Sequence, residues 1–325
     1  METSYSVDDV SRDLEQVKQQ FSKAVVGQDM TLRKILIAML CKGHVLLEGV
    51  PGIAKTLTVK TIAKLSGCSF SRVQFTPDLL PGDITGVETY DEIKKFYVLK
   101  GPIFAHFILA DEINRASPKV QSALLEAMQE RQVTIGKETF ELPNPFVVVA
   151  TQNPIENIGV YNLPEAQVDR FLFKLKVTYP TVAEEEEVLT QNMSTSDFDS
   201  FGIAAVLDAE KILALQRYVK EIHSNEQVRK YIIALIDATR KPEAYGIESG
   251  KYIEFGASPR ASIGLYIASK AFAMLANRHF VTPHDVKEIT ADVLRHRLFL
   301  KYEAQVDNVT SDDIISEILR KIPLP

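Results

Sequence analysis

The sequence has few cysteines, no long apolar run and no strong excess of charge, and each absence excludes a class of protein. The two cysteines, Cys41 and Cys68, have no C-x-x-C spacing and the histidines are not clustered, so neither a disulfide framework nor a zinc site is predicted. No segment approaches the roughly 20 apolar residues that cross a bilayer. The N-terminus lacks the basic flank and apolar core of a signal peptide, so we expect a soluble, cytoplasmic protein without membrane insertion.

The charges are nearly balanced, with 43 acidic against 37 basic residues and a formal net charge of −6. No field over the whole protein would therefore attract it to nucleic acid or to an anionic membrane. The proportions of hydrophobic residues (46%) and charged residues (25%) are those of an ordinary globular protein. Because single cores stop growing at about 250–300 residues, a chain of 325 residues is expected to form two domains.

The first half of the chain alternates short apolar runs with segments of helical periodicity, which is typical of a parallel sheet whose strands are joined by helices. The predicted strands are Val45–Leu47, Phe104–Ala110 and Phe146–Ala150. The predicted helices are Asp8–Val25, Met30–Cys41, Leu57–Leu65 and Val120–Arg131, the last opened by Ser117 and Pro118. Two small hairpins are predicted as insertions, at Asp83–Leu99 and at Gln132–Leu142, the second with its turn at Gly136-Lys137.

The pattern changes near Pro180, after which strand-like runs disappear. Segments of helical period follow at Ala183–Asn192, Ala209–Ile222, Gln227–Thr239, Ser258–Ala276 and Pro283–Leu298. We therefore predict a sheet domain over residues 1–179 and an all-helical domain over residues 180–325.

The strongest local signal is a glycine-rich turn between the first strand and the helix that follows it. Such a turn directs backbone N–H groups at phosphate oxygens, and the helix N-terminus adds partial positive charge. Lys55 would reach the β- and γ-phosphates and the Thr56 hydroxyl would bind Mg²⁺. The predicted nucleotide-binding residues of this loop are Gly49, Val50, Pro51, Gly52, Ile53, Ala54, Lys55, Thr56 and Leu57.

One residue departs from the G-x-x-x-x-G-K-[ST] pattern, because Ala54 stands where the second glycine is expected. A methyl group is tolerable there if the residue already has helical dihedrals, so we predict that phosphate binding survives. A turn rich in glycine and proline can also be purely structural, and it is the Lys-Thr pair in register that favours a phosphate site.

Polar residues end the next two predicted strands. Asp111 and Glu112 follow the apolar run Phe107–Ala110, and Asn153 follows Phe146–Ala150. In an open parallel sheet the ligand crevice lies at the carboxyl ends of the strands. Asp111 is therefore predicted to hold Mg²⁺, Glu112 to polarise the attacking water, and Asn153 to bond the γ-phosphate or that water. An acid pair or an asparagine at a strand end is by itself ordinary turn chemistry.

These elements, in this order, resemble the AAA+ ATPases and, more narrowly, the MoxR family. The resemblance extends from about Val25 to Arg260. It is carried by Val25–Gln28, Gly49–Thr56, Leu109–Ala116, Ala150–Pro154, Leu163–Phe171 and Ala257–Ala261.

The resemblance implies an α/β fold of the P-loop NTPase (AAA+) class: a parallel-sheet core with hairpin insertions and a helical lid, with Mg²⁺ and ATP held between them. It places Val26 and Gly27 beside the adenine and makes Asn153 the first sensor. Arg260 becomes the second sensor, and Ser258 and Pro259 could start its helix so that the guanidinium lies at a dipole end that favours anions. The alternative for Arg260 is a surface arginine at a helix start.

Arg170 matches the arginine finger that contacts the phosphates of a neighbouring subunit, and such a residue can accelerate hydrolysis 10³–10⁵-fold. The alternative is an ion pair within the chain. Arg115 is a weaker candidate for an interface role.

The family further implies a homo-oligomer, usually a hexamer, that remodels a protein client. Its partners often contain a von Willebrand A domain, and the outcome is maturation or metal loading of an enzyme complex. Two other functions stay open. The hairpin Gln132–Leu142, with Arg131 and Lys137, could touch nucleic acid, although the acidic balance and the lack of a basic-aromatic cluster argue against it. Ala54 could instead make the protein an ATP-binding scaffold that hydrolyses little.

Overall fold

The computed structural model describes residues 7–50, 52, 54–92, 95–153, 160–190 and 198–325. Pro51 and Ile53 of the predicted phosphate loop lie outside the described residues. Among those residues no helix is both long and apolar enough to span a bilayer.

Five parallel strands among the described residues form the central sheet. Their spatial order is β2-β5-β8-β1-β9, so the strand before the phosphate loop lies between β8 and β9. The strands of the core are β1 Val45–Glu48, β2 Phe70–Gln74, β3 Gly86–Asp91, β4 Lys95–Lys100, β5 Phe107–Asp111, β6 Gln132–Ile135, β7 Glu138–Glu141, β8 Val147–Gln152 and β9 Phe173–Lys176.

Helices cover both faces of the sheet. The helices of this part of the chain are α1 Val7–Phe21, α2 Asp29–Leu40, α3 Lys55–Leu65, α4 Pro81–Thr85, α5 Pro118–Glu130 and α6 Glu165–Val168. Ser117 and Pro118 stand at the start of α5, as predicted.

The three strands predicted from apolar runs are the three at the centre of the sheet, whereas β2 and β9 were not predicted. A central strand is buried on both faces and reads as a continuous apolar run. The two edge strands are partly exposed and mix apolar with basic side chains, as in Phe173-Lys174-Leu175-Lys176. Their short alternating pattern is weaker than the pattern of a buried run.

Both predicted hairpins are present, and they contact each other. The turn between β6 and β7 lies at Gly136-Lys137, where Gly136 has φ +61°. A Cβ atom on Gly136 would lie 2.8 Å from a carboxylate oxygen of Glu88 in β3, a flexible side chain that can move aside, so conformation is the reason for glycine here. The other hairpin, β3–β4, begins later than predicted because α4 occupies Pro81–Thr85.

The C-terminal part is a helical lid, as predicted. Its helices are α7 Val182–Thr190, α8 Ala209–Glu221, α9 Glu226–Arg240, α10 Pro259–Leu275, α11 Pro283–Leu294, α12 Tyr302–Val306 and α13 Ser311–Lys321. The expectation that strands disappear is wrong at one place, where β10 (Ile253–Phe255) pairs with β11 (Phe299–Leu300). Strands of three and two residues are too short to show a periodicity.

The lid is docked firmly on the core. One hydrophobic cluster runs from Val10 in α1 through the strands to Ile322 after α13. Arg297, which is 3% exposed, donates hydrogen bonds to the carbonyl oxygens of Phe171 and Leu172 and pairs with Asp169 (Nε–Oδ1 2.7 Å).

A second set of ion pairs joins α2, α11, α13 and β9. Asp292 is paired with Lys34 at 2.6 Å and with Arg295 at 2.6 Å, and Asp312 bridges Arg295 and Lys176. The lid therefore lies against α2 and against β9, the edge strand beside β1.

Candidate nucleotide site

A pocket of 520 Å³ lies at the carboxyl ends of the central strands, the edge of the sheet where the sequence places its candidate ligands. Volumes of this order are typical of small-molecule sites. The lining side chains come from the loop after α1, the phosphate loop, the ends of β5 and β8, and α7. They are Ala24, Val25, Val26, Gly52, Ala54, Lys55, Thr56, Leu57, Asp111, Glu112, Asn153 and Val188.

The phosphate loop joins β1 directly to α3, so Lys55 is the first residue of the helix and Thr56 the second. The Lys55 ammonium donates to the carbonyl oxygen of Gly49 at 2.6 Å, which keeps the cation at the mouth of the loop. Gly52 has φ +84° and no atom within 4 Å of its missing Cβ, so conformation rather than space requires glycine there.

Ala54 does not have the helical dihedrals on which its predicted tolerance depended. Its φ of 57° and ψ of 21° are left-handed, and it is the residue that precedes the first turn of α3. A left-handed conformation costs a residue with a Cβ about 1–2 kcal/mol, which glycine avoids. An alanine at this position therefore carries backbone strain that a glycine would not.

Asp111 lies at the end of β5 and is held on both carboxylate oxygens. Oδ1 accepts a hydrogen bond from the Thr151 hydroxyl at 2.6 Å. Oδ2 accepts from Arg72 Nη2 at 2.7 Å and from Arg72 Nε at 3.1 Å. The carboxylate is therefore oriented by one residue of β8 and one of β2, neither of which was predicted as part of the site.

Glu112 has φ 56°, again left-handed, and its backbone N–H donates to Thr151 Oγ1 at 2.8 Å. Its Oε2 accepts hydrogen bonds from Gln74 Nε2 at 2.7 Å and from Arg115 Nη1 at 3.0 Å. A non-glycine residue in this conformation is uncommon and marks a position where the surroundings impose the backbone. The turn directs Glu112 into the same pocket as Asp111 and Lys55.

Asn153 directly follows the end of β8, is 6% exposed and lines the pocket beside the two acids, so the three predicted strand ends do converge. Sequence reasoning missed Arg72, Gln74 and Thr151. The first two were hidden because β2 was not recognised. Thr151 was part of a matched motif, but nothing in the sequence showed that it would bond both Asp111 and Glu112.

Apolar residues also line the pocket, among them Val26, Leu57 and Val188. Gly27, Gly49 and Val50 do not line it, although the Gly49 carbonyl holds Lys55. A Cβ on Gly27, whose φ is +71°, would lie 2.6 Å from the carboxylate carbon of Glu184, so the side chain of this α7 residue lies against the glycine.

Comparison with known proteins agrees with this geometry. Residues 44–173 match the ATPase family associated with various cellular activities (AAA), and residues 248–318 match the AAA lid domain. The chain is 47% identical to the chaperone MoxR1 of Mycobacterium tuberculosis, over 96% of this chain and 82% of that protein. It belongs to the MoxR family of AAA+ ATPases.

Two further relatives cover almost the whole chain. An uncharacterised protein, YeaC of Bacillus subtilis, is 41% identical over 94% of this chain and 93% of its own. The crystal structure of a protein assigned as an ATPase from Cytophaga hutchinsonii matches with a TM-score of 0.92 and 46% identity, covering 98% of this chain and 97% of that one. The chain is thus an ATPase, and the pocket at the strand ends is its candidate site for the nucleotide, called the nucleotide pocket below.

The two arginines that the MoxR resemblance singles out lie together, but not in that pocket. Arg170 and Arg260 line a separate cavity of 270 Å³ with Asp169 and Arg297. Asp169 Oδ2 accepts from the Ser258 hydroxyl at 2.9 Å and lies 3.9 Å from Arg260 Nη1. We call this cavity the arginine pocket.

Arg260, expected to be the second sensor, lines the arginine pocket and not the pocket of Lys55 and Asp111. Ser258 does cap α10, as predicted, by accepting from the Arg260 N–H, and Pro259 follows it. Because the same hydroxyl is bonded to Asp169, the start of α10 is anchored beside Arg170. Further along α10, a Cβ on Gly264 would lie only 3.2 Å from Leu172, which shows how closely this helix packs on the core.

Within the described residues, the Arg170 side chain makes no hydrogen bond or ion pair, so the intramolecular ion pair considered as its alternative is not observed. Arg115, by contrast, is bonded to Glu112. Whether Arg170 and Arg260 act in hydrolysis depends on what faces the arginine pocket.

Proposed function

We propose that this chain binds Mg·ATP in the pocket around Lys55 and hydrolyses it when a second copy, in a ring, presents Arg170 and Arg260. The observation that carries the proposal is the separation of the two pockets: the phosphate loop, the acids and Asn153 line one, and both arginines line the other. A ring of identical subunits with head-to-tail contacts would bring the arginine pocket of one copy against the nucleotide pocket of the next.

The side chains of the nucleotide pocket fit Mg·ATP. Thr56 and Asp111 supply the hard oxygen ligands that Mg²⁺ prefers, and Lys55 supplies a cation for phosphate. Among the described residues no group of three or more histidines, cysteines or acids could hold a metal ion alone. That suits Mg²⁺, which is usually held by one or two protein oxygens together with substrate phosphates. When bound, Mg²⁺ neutralises charge on the phosphates.

Glu112 is the residue we assign as the base. Its Oε2 is held by Gln74 and Arg115, which leaves Oε1 to accept a proton from water. Asn153, buried beside it, is positioned to orient that water or a phosphate oxygen. Val26 and Leu57 are proposed to contact the base of the nucleotide, together with Val188 of α7.

We further propose that the ring is a hexamer in the cytoplasm and acts as a chaperone on a protein client. Family membership supports this role, as does the relative named chaperone MoxR1. A partner with a von Willebrand A domain, and a role in maturation or metal loading of a complex, follow from the resemblance to the family.

The ring mechanism is tested by mixing two inactive variants and measuring phosphate release. Glu112→Gln lacks the base but keeps its arginines, and Arg170→Ala lacks the finger but keeps its base. In mixed rings some interfaces combine an intact Glu112 from one subunit with an intact Arg170 from the next, so activity should reappear. A matched acid control is Glu126→Gln, exposed on α5, which should behave as wild type.

Two results would contradict the proposal. If mixed rings stay as inactive as either variant alone, Arg170 does not act across an interface. If Glu112→Gln alone turns over ATP at the wild-type rate, the assignment of Glu112 as the base is wrong.

A further inference from the structure

Asp111, the residue proposed to hold Mg²⁺, is also paired with a guanidinium that the nucleotide pocket does not include. Arg72 lies on β2, the edge strand next to β5, and approaches Asp111 from the flank. Both Nε and Nη2 donate to Oδ2, at 3.1 and 2.7 Å. Both donors share one oxygen, and because both groups are ionised these are charge-assisted hydrogen bonds, which are stronger than neutral ones.

A carboxylate offers about four acceptor positions. Asp111 uses three of them, one for the Thr151 hydroxyl and two for Arg72. A divalent cation and a guanidinium on the same carboxylate would also repel each other, since like charges a few ångströms apart interact strongly in a partly buried site. The Asp111 side chain is only 13% exposed, so solvent screens that repulsion poorly.

We propose that Arg72 is a counter-charge that competes with Mg²⁺ for Asp111 and is displaced from Oδ2 when the cation binds. This inference rests on the proposed function, because it takes Asp111 to be the residue that holds Mg²⁺. Arg72 thereby sets how strongly Mg²⁺ and nucleotide binding are coupled.

The surroundings of the pair make the exchange easy. The Arg72 side chain is 49% exposed and can return to water without crossing the protein interior. Its Nη2 also donates to Gln74 Oε1 at 2.9 Å, a contact that it can keep after leaving Asp111. Thr151 is 1% exposed and bonded to Oδ1, so the carboxylate keeps its orientation when Arg72 leaves.

The competition can be measured without turnover. The dissociation constant of the fluorescent nucleotide N-methylanthraniloyl-ADP is determined in MgCl₂ and in EDTA. The constant in EDTA divided by the constant in MgCl₂ reports the coupling between metal and nucleotide, and a larger ratio means stronger coupling. Arg72→Gln removes the charge, so the ratio should rise about three- to fivefold above wild type, the range expected for a partly exposed ion pair. Arg72→Lys keeps the charge and should bring the ratio back close to wild type.

Two controls separate this inference from the function on which it rests. Lys176→Gln breaks an ion pair of matching exposure, with Asp312 in the lid (48% for Lys176), and should leave the ratio unchanged. Asp111→Asn should reduce the ratio sharply. If Asp111→Asn leaves it at the wild-type value, Asp111 does not hold Mg²⁺ and the proposed site is wrong. If Asp111→Asn responds but Arg72→Gln leaves the ratio unchanged or lowers it, only the competition by Arg72 is refuted.

Discussion

The nucleotide pocket and the arginine pocket differ in what holds their charged groups. In the nucleotide pocket, Asp111 and Glu112 are bonded by residues of neighbouring strands, and Lys55 is bonded within its own loop. In the arginine pocket, Arg297 is buried and all its N–H groups donate hydrogen bonds. The Arg260 side chain is 48% exposed, and its guanidinium lies 3.9 Å from Asp169, too far for a hydrogen bond.

On the proposed mechanism, the two pockets are incomplete halves of one site that forms between neighbouring subunits. On that mechanism, the acids and phosphate-binding groups of one subunit hold the nucleotide, and further cations from the next subunit neutralise the charge that develops during transfer. The arginines provide such cations on another surface of the same molecule. The docked lid keeps them there, because Ser258 and Arg297 bind α10 and the end of α11 to the segment around Asp169.

The largest expected effect is that of removing the Arg170 side chain from the arginine pocket. Arg170→Ala should lower kcat for ATP by 10³-fold or more, since a trans arginine is worth 10³–10⁵ in rate. The nucleotide affinity of a single subunit should hardly change, because Arg170 does not line the nucleotide pocket of its own chain. Steady-state phosphate release and nucleotide titration measure the two effects. Arg217→Ala, at an exposed arginine of α8, is the control and should be neutral.

A second prediction decides whether Arg260 serves the nucleotide pocket of its own chain or that of a neighbouring subunit. Arg260→Ala should lower kcat by about 100- to 1,000-fold, the loss expected when one donor to a transition state is removed. If it acts across the interface with Arg170, it should regain activity when mixed with Glu112→Gln but not when mixed with Arg170→Ala. The reverse pattern would mean that Arg260 serves the pocket of its own chain.

A fall in pH should lower the free energy of unfolding through two buried histidines near the arginine pocket. His44 donates from Nε2 to the Met128 carbonyl and accepts at Nδ1 from the Val148 N–H, and burial lowers its pKa to about 3. His296 bonds the Phe171 carbonyl, and burial followed by the charge of Arg297 lowers its pKa well below the ordinary value.

Both histidines fold in the neutral form, so their stabilising contribution is fully present above the unfolded pKa of about 6.5 and is lost as the pH falls below it. The free energy of unfolding should fall by up to about 1.4 kcal/mol per pH unit for each histidine between pH 6.5 and 5. Urea denaturation at several pH values measures the slope. His284→Gln, an exposed histidine, should not change it, whereas His44→Gln should make it shallower.

The smallest effect concerns the strained alanine of the nucleotide half. Ala54→Gly should raise the free energy of unfolding by about 0.5–1 kcal/mol, because glycine adopts the left-handed conformation of this residue without strain. Ala123→Gly, in the middle of α5, should lower it by a similar amount. Equal and opposite shifts in urea denaturation would attribute the strain to φ at residue 54. A loss of stability in Ala54→Gly would contradict it.

Sequence reasoning succeeded where a signal is local. The run Phe107–Asp111 could be recognised as a buried strand without knowing its neighbours, and Lys55-Thr56 as the start of a helix after a glycine turn. It failed for β2 and β9, since the pattern of a short, partly exposed edge strand is weak. It therefore also missed Arg72 and Gln74, whose roles exist only because β2 lies beside β5.

The sequence by itself determined the parallel-sheet core, the helical lid and the convergence of Lys55, Asp111 and Asn153 at one edge of the sheet. The carboxyl ends of parallel strands lie along the same edge in whatever order the strands are arranged, so this convergence does not depend on the strand order. Only the tertiary structure decided the left-handed backbone of Ala54, the Arg72–Asp111 pair, and the placement of Arg260 beside Arg170. Each of these depends on which distant segments pack together: β2 against β5 for Arg72, and the start of α10 against Asp169 for Arg260.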